Sequence, residues 1–332
     1  MALFISYEDT LKLKLDMNEL IELFEEAHRL LAQNKGTYGK RLRVVFPPVT
    51  GLGTGRPWTH DMRILPAILP GIGSGLRIGT TKKGDKPGRG TGGSLLIFFD
   101  SETMEWKAAI SDSLIHGVRS AVPDGMAAKH LSLPNSKTLG VIGSGRIAQW
   151  ATRAVCAVRP IQKIKVYSPN PDHRKSYVSL FTKEMQVDVT DFDSPEPVVR
   201  DSDIVTAATS TAVPVLNGDW LKPGSTFITN TPEEMDRTTA KRAQLIASIK
   251  EEVNSHVPPY QAVADLMDSG ELTEADLSVE MGDIILGKKP GRTSDDEIIA
   301  YMNSGSGIYD VAISSYVYKR AMEQGLGVTL TP

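Results

Sequence analysis

The chain has very little cysteine, no long apolar run and almost no excess of charge. Its single cysteine, Cys156, cannot form a disulfide within the chain, and its alanine and valine neighbours favour a buried thiol over a nucleophile. No stretch approaches the roughly 18 apolar residues of a membrane-spanning helix, and residues 1–16 lack the pattern of a secretory signal. A formal net charge of −3 gives no electrostatic reason to bind nucleic acid or an anionic membrane. We therefore expect a cytoplasmic protein with neither nucleic acid nor membrane as a partner.

Motifs of several common chemistries are also missing. The six histidines show no spacing typical of metal ligands, and there is no cysteine pair or metal-type carboxylate cluster. The chain has no Gly-x-Ser-x-Gly turn for a nucleophilic serine and no Gly-Lys-Ser/Thr phosphate loop. These absences argue against a metal site, a serine hydrolase and a P-loop NTPase.

A glycine-rich turn follows a short apolar segment at residues 137–148. Gly143 and Gly145 have no Cβ atom, so the backbone there can turn tightly and approach a pyrophosphate. The unpaired N–H groups at the start of the following helix favour the same anion. The turn is completed by Ser144, Arg146 and Ile147. This order of strand, turn and helix predicts a dinucleotide-binding loop.

With 332 residues, of which 40% are hydrophobic, the chain is long enough for two globular domains. Strand-like and helical segments alternate in its second half, which predicts a doubly wound parallel sheet over residues 118–305. Residues 1–117 contain an opening helix at 16–33 and then short strand-like segments. The last helix should return to that domain, within 306–332. The predicted fold class is therefore α/β, a Rossmann domain plus a mixed α+β domain that the C-terminal helix completes.

The second Rossmann strand ends at residues 167–174 without an acidic residue at its tip. An acid there ordinarily binds the adenosine ribose of NAD and repels the 2′-phosphate of NADP. Here Ser168 and Asn170 can donate hydrogen bonds to a phosphate, and the guanidinium of Arg174 can donate two charged hydrogen bonds to it. We therefore expect a preference for NADP(H), with NAD(H) possible because Asp172 is a candidate ribose ligand.

Basic residues are frequent outside the Rossmann segment. They include Arg43, Arg77, Lys82, Lys83, Arg89 and Arg119. Arginine can bind a carboxylate through two parallel hydrogen bonds, whereas lysine acts as a point charge. Arg119 differs from the others because it directly precedes the Rossmann fold, where it can reach a substrate that lies against a nicotinamide. We expect it to bind the carboxylate of a small amino or keto acid.

Together these segments resemble the ornithine cyclodeaminase and mu-crystallin family, which includes ketimine reductases and one archaeal type of alanine dehydrogenase. The resemblance spans nearly the whole chain, through blocks at residues 17–20, 91–100, 118–129, 143–148, 203–210, 287–293 and 307–312. It implies that residues 1–117 and 306–332 form a substrate-binding domain through which the protein dimerises. It also implies carboxylate binding by Arg119 and Arg43, with Arg119 touching the cofactor as well. The other implied cofactor contacts are Thr91, Ala208, Thr209, Ser210, Asn230 and Asn303.

Two positions depart from the family pattern. Arg77 stands where family members have a lysine, and because a guanidinium keeps its proton near neutrality, a general-base role is lost while a carboxylate clamp is gained. Lys82 is the candidate replacement for the missing ammonium. Cyclodeaminases also carry an aspartate in the loop that corresponds to residues 228–236, where Glu233 is the nearest substitute here. Both departures argue against ornithine cyclisation.

The arginines and the resemblance predict NAD(P)H-dependent reduction of a small carboxylated imine, or the reverse oxidation of an amino acid. Arg119, Arg77 and Arg43 would hold the carboxylate while hydride is transferred at nicotinamide C4. Lys82 or Glu233 would manage the proton on nitrogen. The extra arginine adds the hypothesis of a dicarboxylic substrate. Two alternatives stay open, a deaminating cyclisation with bound NAD and a non-catalytic, mu-crystallin-like protein that binds NADPH and a small molecule.

Overall fold

The computed structural model describes residues 2–47, 59–82, 92–256 and 258–331. The chain forms two compact units, the first made of Met1–Ser120 and Gly305–Pro332 and the second of Ala121–Ser304. The predicted contact at Thr91 and the basic residues Lys83 and Arg89 lie outside the described residues.

The secondary structure alternates strands and helices along most of the described chain. The strands are β1 (Ala2–Ile5), β2 (Thr37–Tyr38), β3 (Leu42–Phe46), β4 (His60–Leu69), β5 (Gly73–Lys82), β6 (Ser94–Phe99), β7 (Trp106–Ser111), β8 (Thr138–Ile142), β9 (Lys163–Tyr167), β10 (Asp188–Phe192), β11 (Ile204–Ala207), β12 (Thr226–Thr229), β13 (Gln244–Ala247), β14 (Ile299–Met302) and β15 (Val328–Leu330). The helices are α1 (Tyr7–Lys12), α2 (Met17–Ala32), α3 (Asp112–Leu131), α4 (Arg146–Val158), α5 (Pro171–Met185), α6 (Glu196–Val199), α7 (Arg237–Arg242), α8 (Lys250–Asn254), α9 (Gln261–Asp268), α10 (Met281–Ile285) and α11 (Gly307–Gln324). No helix within the described ranges is long and apolar enough to cross a membrane.

The first unit is a mixed sheet with helices packed on it. Its strands lie in the order β15-β1-β7-β6-β5-β4-β2, and β3 pairs with β4. Helix α2 begins after Asp16, whose side chain accepts hydrogen bonds from two backbone N–H groups of the first turn. On α11, Tyr309 stacks on Phe24 of α2 with ring centroids 5.1 Å apart, and Tyr318 contacts Phe98 of β6. The prediction that the C-terminal helix completes this domain is confirmed.

Strands β3 to β6 present two different faces because side chains alternate along a strand. One face is apolar and ranges from half-buried to exposed. We call it the apolar face, and it comprises Leu42, Val44, Phe46, Met62, Ile64, Ile68, Leu76, Ile78, Leu95 and Ile97. The opposite face carries Arg43, Arg63 and Arg77, and also Phe98, which α11 covers. The same strands therefore supply a charged surface on one side and an apolar surface on the other.

The second unit is the predicted doubly wound sheet. Its seven strands lie in the order β10-β9-β8-β11-β12-β14-β13, and every neighbouring pair is parallel. The chain runs outward from β8 in one direction through β9 and β10, and then returns to β11 on the other side. The strand order thus reverses between β8 and β11, and ligands of open α/β sheets bind beside such a switch point, at the carboxyl ends of the strands.

Candidate functional site

The glycine turn lies at this switch point. Gly143 follows β8 with a φ of +113°, and a Cβ atom there would lie 2.4 Å from the carbonyl oxygen of Ala208 after β11. Gly145 caps α4 with extended backbone and without a side-chain hydrogen bond, and a Cβ on it would meet nothing within 4 Å. The first turn of α4 has no acidic residue, so no carboxylate of that turn competes with a ligand anion for its N–H groups. This geometry fits the pyrophosphate of a dinucleotide.

Five loops that carry predicted cofactor residues begin at one edge of the sheet. Tyr167, Ile142, Ala207, Thr229 and Met302 form one row across the parallel strands. The residues that follow them are Ser168, Gly143, Ala208, Asn230 and Asn303. Thr209 and Ser210 continue the loop after Ala208. The structure therefore brings together predicted contacts that are spread over residues 143–303 of the sequence.

A buried carboxylate, Glu234, fixes the loops after β11 and β12. One oxygen accepts hydrogen bonds from the backbone N–H and the hydroxyl of Thr209, at 2.7 and 2.9 Å. The other accepts from the backbone N–H groups of Asn230 and Thr231, at 2.8 and 3.0 Å. Burial raises the pKa of Glu234, and these N–H donors oppose that shift. The predicted Glu233 is its half-buried neighbour. Sequence analysis missed Glu234; the spacing Thr231-x-x-Glu234, typical of a capping box, is a signal that could have pointed to it.

Asp124 is a second buried carboxylate that the sequence prediction missed. It lies on α3 and accepts hydrogen bonds from the Thr206 hydroxyl, at 2.5 Å, and from the Asn230 side-chain amide, at 3.0 Å. Asn303 in turn donates to the side-chain oxygen of Asn230 at 2.9 Å. Burial raises the pKa of Asp124 to about 7. Two of the predicted cofactor residues are thus oriented by a group that titrates near neutrality.

The end of β9 differs from the simple phosphate site that the sequence predicts. Arg174 donates to the carbonyl oxygen of Ser168 at 2.7 Å, but its Nε also lies 3.2 Å from a carboxylate oxygen of Asp191 on β10. The side-chain oxygen of Asn170 caps α5, where it accepts hydrogen bonds from the N–H groups of Asp172 and His173. An acidic residue therefore partly offsets the charge of Arg174.

The three predicted carboxylate-binding arginines all belong to the first unit, and each pairs with a buried aspartate. The closest pairs are Arg77 with Asp112 at 2.6 Å, Arg43 with Asp61 at 2.7 Å and Arg119 with Asp310 at 3.1 Å. Two guanidinium nitrogens of Arg43 bind the two oxygens of Asp61. The aspartates were not predicted as site residues, although Asp310 lies in a block that carries the family resemblance. All three arginines are held by structure before any ligand binds.

Arg119 is paired differently from Arg43. Its Nε is 3.1 Å from Asp310, but the N–H does not point at that oxygen, so the pair is electrostatic and not a hydrogen bond. Burial lowers the pKa of Arg119 and raises that of Asp310 to about 6, against their mutual attraction. A Cβ on Gly305 would lie 3.2 Å from Nη1 of Arg119, and the carbonyl oxygen of Gly305 accepts a hydrogen bond from Arg41. The donors of Arg119 are therefore positioned without being fully used by Asp310.

Lys82 does not join these arginines. It is exposed at the end of β5, and strand alternation places it on the face of Ile78 and not on that of Arg77. Glu233 follows β12 in the second unit. Their proposed roles in proton transfer stay predictions. Within the described residues there is no group of three or more side chains suited to hold a metal ion.

A parallel, doubly wound sheet with a glycine turn at its switch point defines the class of dinucleotide-binding proteins. Residues 5–325 match the model of the ornithine cyclodeaminase/mu-crystallin family, and the chain belongs to that family. The resemblance inferred from the sequence is confirmed.

Several relatives and solved structures are similar to the chain over most of its length. A Delta(1)-pyrroline-2-carboxylate reductase of Bacillus cereus is 26% identical over 289 residues, covering 84% of this chain and 88% of the relative. The structure of Thermococcus litoralis Delta(1)-pyrroline-2-carboxylate reductase in complex with NADH and L-proline has a TM-score of 0.88 and 25% identity, covering 99% of this chain and all of that one. An archaeal alanine dehydrogenase dimer with bound NAD has a TM-score of 0.86 and 25% identity, covering 99% of each chain.

Replacing Asp124 by asparagine should change how stability depends on pH. Folding raises the pKa of this carboxyl from 3.8 to about 7. The wild-type protein therefore loses stability as the pH rises from the pKa of the unfolded chain to that of the folded chain, because over this range the carboxyl ionises more readily when the chain is unfolded. The side-chain amide of Asp124→Asn cannot ionise, so the unfolding free energy of the variant relative to wild type should rise by about 2–3 kcal/mol between pH 5 and pH 8. Denaturant unfolding at the two pH values measures this difference. The exposed Asp188→Asn is the control, and a pH-independent difference for Asp124→Asn would contradict the assignment.

Proposed function

We propose that this protein is an NAD(P)H-dependent oxidoreductase that reduces a small carboxylated imine, or oxidises the corresponding amino acid. The observation that carries the proposal is the buried guanidinium of Arg119, which Asp310 holds in place without accepting a hydrogen bond from its Nε. A buried charge with unused donors is suited to an anionic ligand, and a carboxylate matches a guanidinium in shape and charge. The glycine turn of the second unit supports the cofactor part of the proposal.

The similar proteins agree with this chemistry. Two of them are reductases named for a cyclic imine with one carboxylate, and the structure of one of these contains NADH and L-proline. The third is an alanine dehydrogenase. In each case a C=N or CH–NH bond next to a carboxylate would be the reacting group. A carboxylated imine is therefore the substrate class that we assign to this chain.

The reaction balances with one hydride and one proton. The reduced nicotinamide, when bound, supplies a hydride to the imine carbon, the imine nitrogen takes a proton, and the products are the amine and the oxidised nucleotide. Arg119, Arg77 and Arg43 would bind the carboxylate and so fix the imine carbon, which must come within roughly 3–3.5 Å of the hydride donor. An arginine cannot give up a proton near neutral pH, so the proton comes from elsewhere, and Glu233 and Lys82 are our candidates.

The function is tested by supplying keto acids with ammonia or methylamine and following the reduced nucleotide. Steady consumption of NADH or NADPH with formation of the amino acid supports reduction. Release of ammonia from ornithine without net consumption would instead identify a cyclodeaminase. Binding of nucleotide and small acid without turnover would identify a non-catalytic binding protein.

Arg119→Lys should raise the KM for the imine by about 10- to 100-fold and leave the KM for the nucleotide within about twofold. Lysine keeps the charge opposite Asp310 but loses the two-pronged hydrogen bonding to a carboxylate, which is worth roughly 1.5–3 kcal/mol. Steady-state kinetics with each substrate varied in turn gives both constants. Arg29→Gln, on the surface of α2, is the control. Unchanged imine kinetics in Arg119→Lys would remove this residue from the carboxylate site.

For the cofactor we propose a preference for NADP(H), with NAD(H) also accepted. Support comes from the absence of an acid at the tip of β9 and from Arg174, which lies beside the backbone of Ser168. Asp191 works against the preference because it pairs with Arg174. The balance between these two residues should therefore set the ratio of the two activities.

Asp191→Asn should shift the protein toward NADPH. Removing the carboxylate leaves the charge of Arg174 available to a 2′-phosphate, and we expect kcat/KM for NADPH relative to NADH to rise roughly tenfold, which corresponds to about 1.4 kcal/mol. Parallel assays with both nucleotides measure the ratio. Asp188→Asn, on the same strand, should leave it unchanged. A fall in the ratio for Asp191→Asn would place the adenosine ribose elsewhere.

We also propose that two copies of the chain associate through the apolar face of β3 to β6. Leu42, Val44 and Phe46 are 55%, 52% and 64% exposed. On β4, the exposed Met62 lies directly across from Val44, and the exposed Ile68 lies further along that strand. A contiguous apolar surface of this kind is typical of a protein interface. The similar archaeal alanine dehydrogenase is a dimer, which makes a second copy the partner we favour.

Val44→Lys should convert such a dimer to a monomer, because it places an unpaired charge inside an apolar interface. Size-exclusion chromatography with light scattering measures the mass. The matched control is Leu11→Lys on α1, a residue that is similarly exposed but lies outside the apolar face. A wild-type protein that is already monomeric, or a Val44→Lys variant that stays dimeric, would refute this interface.

A further inference from the structure

The arginine-bearing side of the first unit concentrates positive charge. Arg63 interacts electrostatically with Arg41, Arg43 and Arg77, and Arg119 does so with Arg41 and Arg77. The carboxylates of Asp61, Asp112 and Asp310 pair with Arg43, Arg77 and Arg119 respectively. Several like charges therefore meet on one side of the first unit.

Arg63 is weakly paired within this group. Its Nε lies 3.5 Å from Asp61, which already receives two hydrogen bonds from Arg43, and this Nε has no hydrogen-bond partner within the described residues. One further nitrogen reaches the hydroxyl of Thr81 at 3.3 Å. The Arg63 side chain is 33% exposed, compared with 6% for Arg77 and 7% for Arg119. A ligand can therefore reach Arg63.

Strand register places Arg63 next to the carboxylate-binding arginines. It lies directly across from Arg43 on β3 and from Gly79 on β5. A Cβ on Gly79 would lie 2.6 Å from Nη1 of Arg77, so the guanidinium of Arg77 extends over Gly79. Directly opposed positions on antiparallel strands have Cβ atoms about 4.5–5.5 Å apart. Arg43, Arg63 and the guanidinium of Arg77 are consequently neighbours on one surface.

Concentrating these like charges is unfavourable without an anion. Burial lowers the pKa of Arg63 to about 10, and the nearby Arg77, Arg43 and Arg41 contribute in the same direction, while Asp61 opposes the shift. A second ligand carboxylate at Arg63 would relieve this repulsion and supply the missing hydrogen-bond acceptor.

We propose that the substrate has two carboxylates, as in the imine of a short 2-oxo dicarboxylic acid, and that Arg63 binds the carboxylate remote from the imine carbon. This inference rests on the proposed function, in which Arg119, Arg77 and Arg43 bind the carboxylate next to the imine. Arg63 is then the residue that determines specificity, and it takes no part in hydride transfer.

The test compares acids of equal length with one or two carboxylates. The pairs are oxaloacetate with 2-oxobutyrate and 2-oxoglutarate with 2-oxopentanoate, each supplied with ammonia and reduced nucleotide. Wild type should favour the dicarboxylic member of at least one pair by tenfold or more in kcat/KM. Arg63→Gln should lose about 10- to 100-fold toward that dicarboxylic acid and stay within about twofold toward its partner. Arg63→Lys should retain part of the preference, and Arg29→Gln should behave as wild type.

A binding experiment separates failure of this inference from failure of the proposed function. Calorimetry with nucleotide present compares succinate with butyrate, and 2-oxoglutarate with 2-oxopentanoate. The inference is supported if wild type binds the dicarboxylic acids more tightly and Arg63→Gln abolishes that preference. This holds even if no acid is turned over, and in that case only the proposed function fails. Equal binding of one-carboxylate and two-carboxylate acids, or an equal loss of both in Arg63→Gln, would overturn the inference. Circular dichroism of each variant verifies that it is folded.

Discussion

The first unit depends on arginines that are paired with aspartates away from water. Removing one partner of a buried pair typically costs about 3–5 kcal/mol, because the remaining charge is left uncompensated. Arg77 on β5 pairs with Asp112 at the start of α3, and Arg119 on α3 pairs with Asp310 on α11. The sheet and two helices are therefore tied together by charges that must stay matched. The same constraint orients the guanidinium groups that we propose bind a carboxylate ligand.

In the second unit, buried acids take the place of these ion pairs. Glu234 binds the backbone of the loops after β11 and β12, and Asp124 orients Asn230 through its side-chain amide. Neither acid has a basic partner among these contacts. Glu234 accepts hydrogen bonds at both oxygens, including from loop backbone N–H groups, whereas Asp124 accepts from two side chains at one oxygen. The predicted cofactor-binding residues Thr209 and Asn230 are thus held by groups that do not themselves match the dinucleotide fingerprint.

In strands β3 to β5, the alternation of side chains places charged residues on one face of the sheet and apolar residues on the other. Arg43 and Val44 are neighbours in sequence, yet one side chain lies among charges and the other on the apolar face. Lys82 illustrates the same rule, since it follows Arg77 by an odd number of positions and falls on the opposite side of β5. The role predicted for Lys82 therefore stays a prediction, while Arg63, on the neighbouring strand, lies in register with the arginines.

The sequence by itself determined the family, the parallel sheet, the glycine turn and the return of the C-terminal helix. These follow from local patterns, because a glycine-rich turn and the periodic spacing of apolar residues can be recognised in a short stretch of sequence. It also singled out Arg119, Arg77 and Arg43. Only the tertiary structure decided which carboxylate each arginine meets, that Glu234 and Asp124 bind residues on and after β11 and β12, and that Asp191 pairs with Arg174. Arg77 and Asp112 are 35 positions apart in the chain, and Asp124 and Asn230 are 106 apart. No local pattern encodes a pairing that exists only once strands and helices have packed.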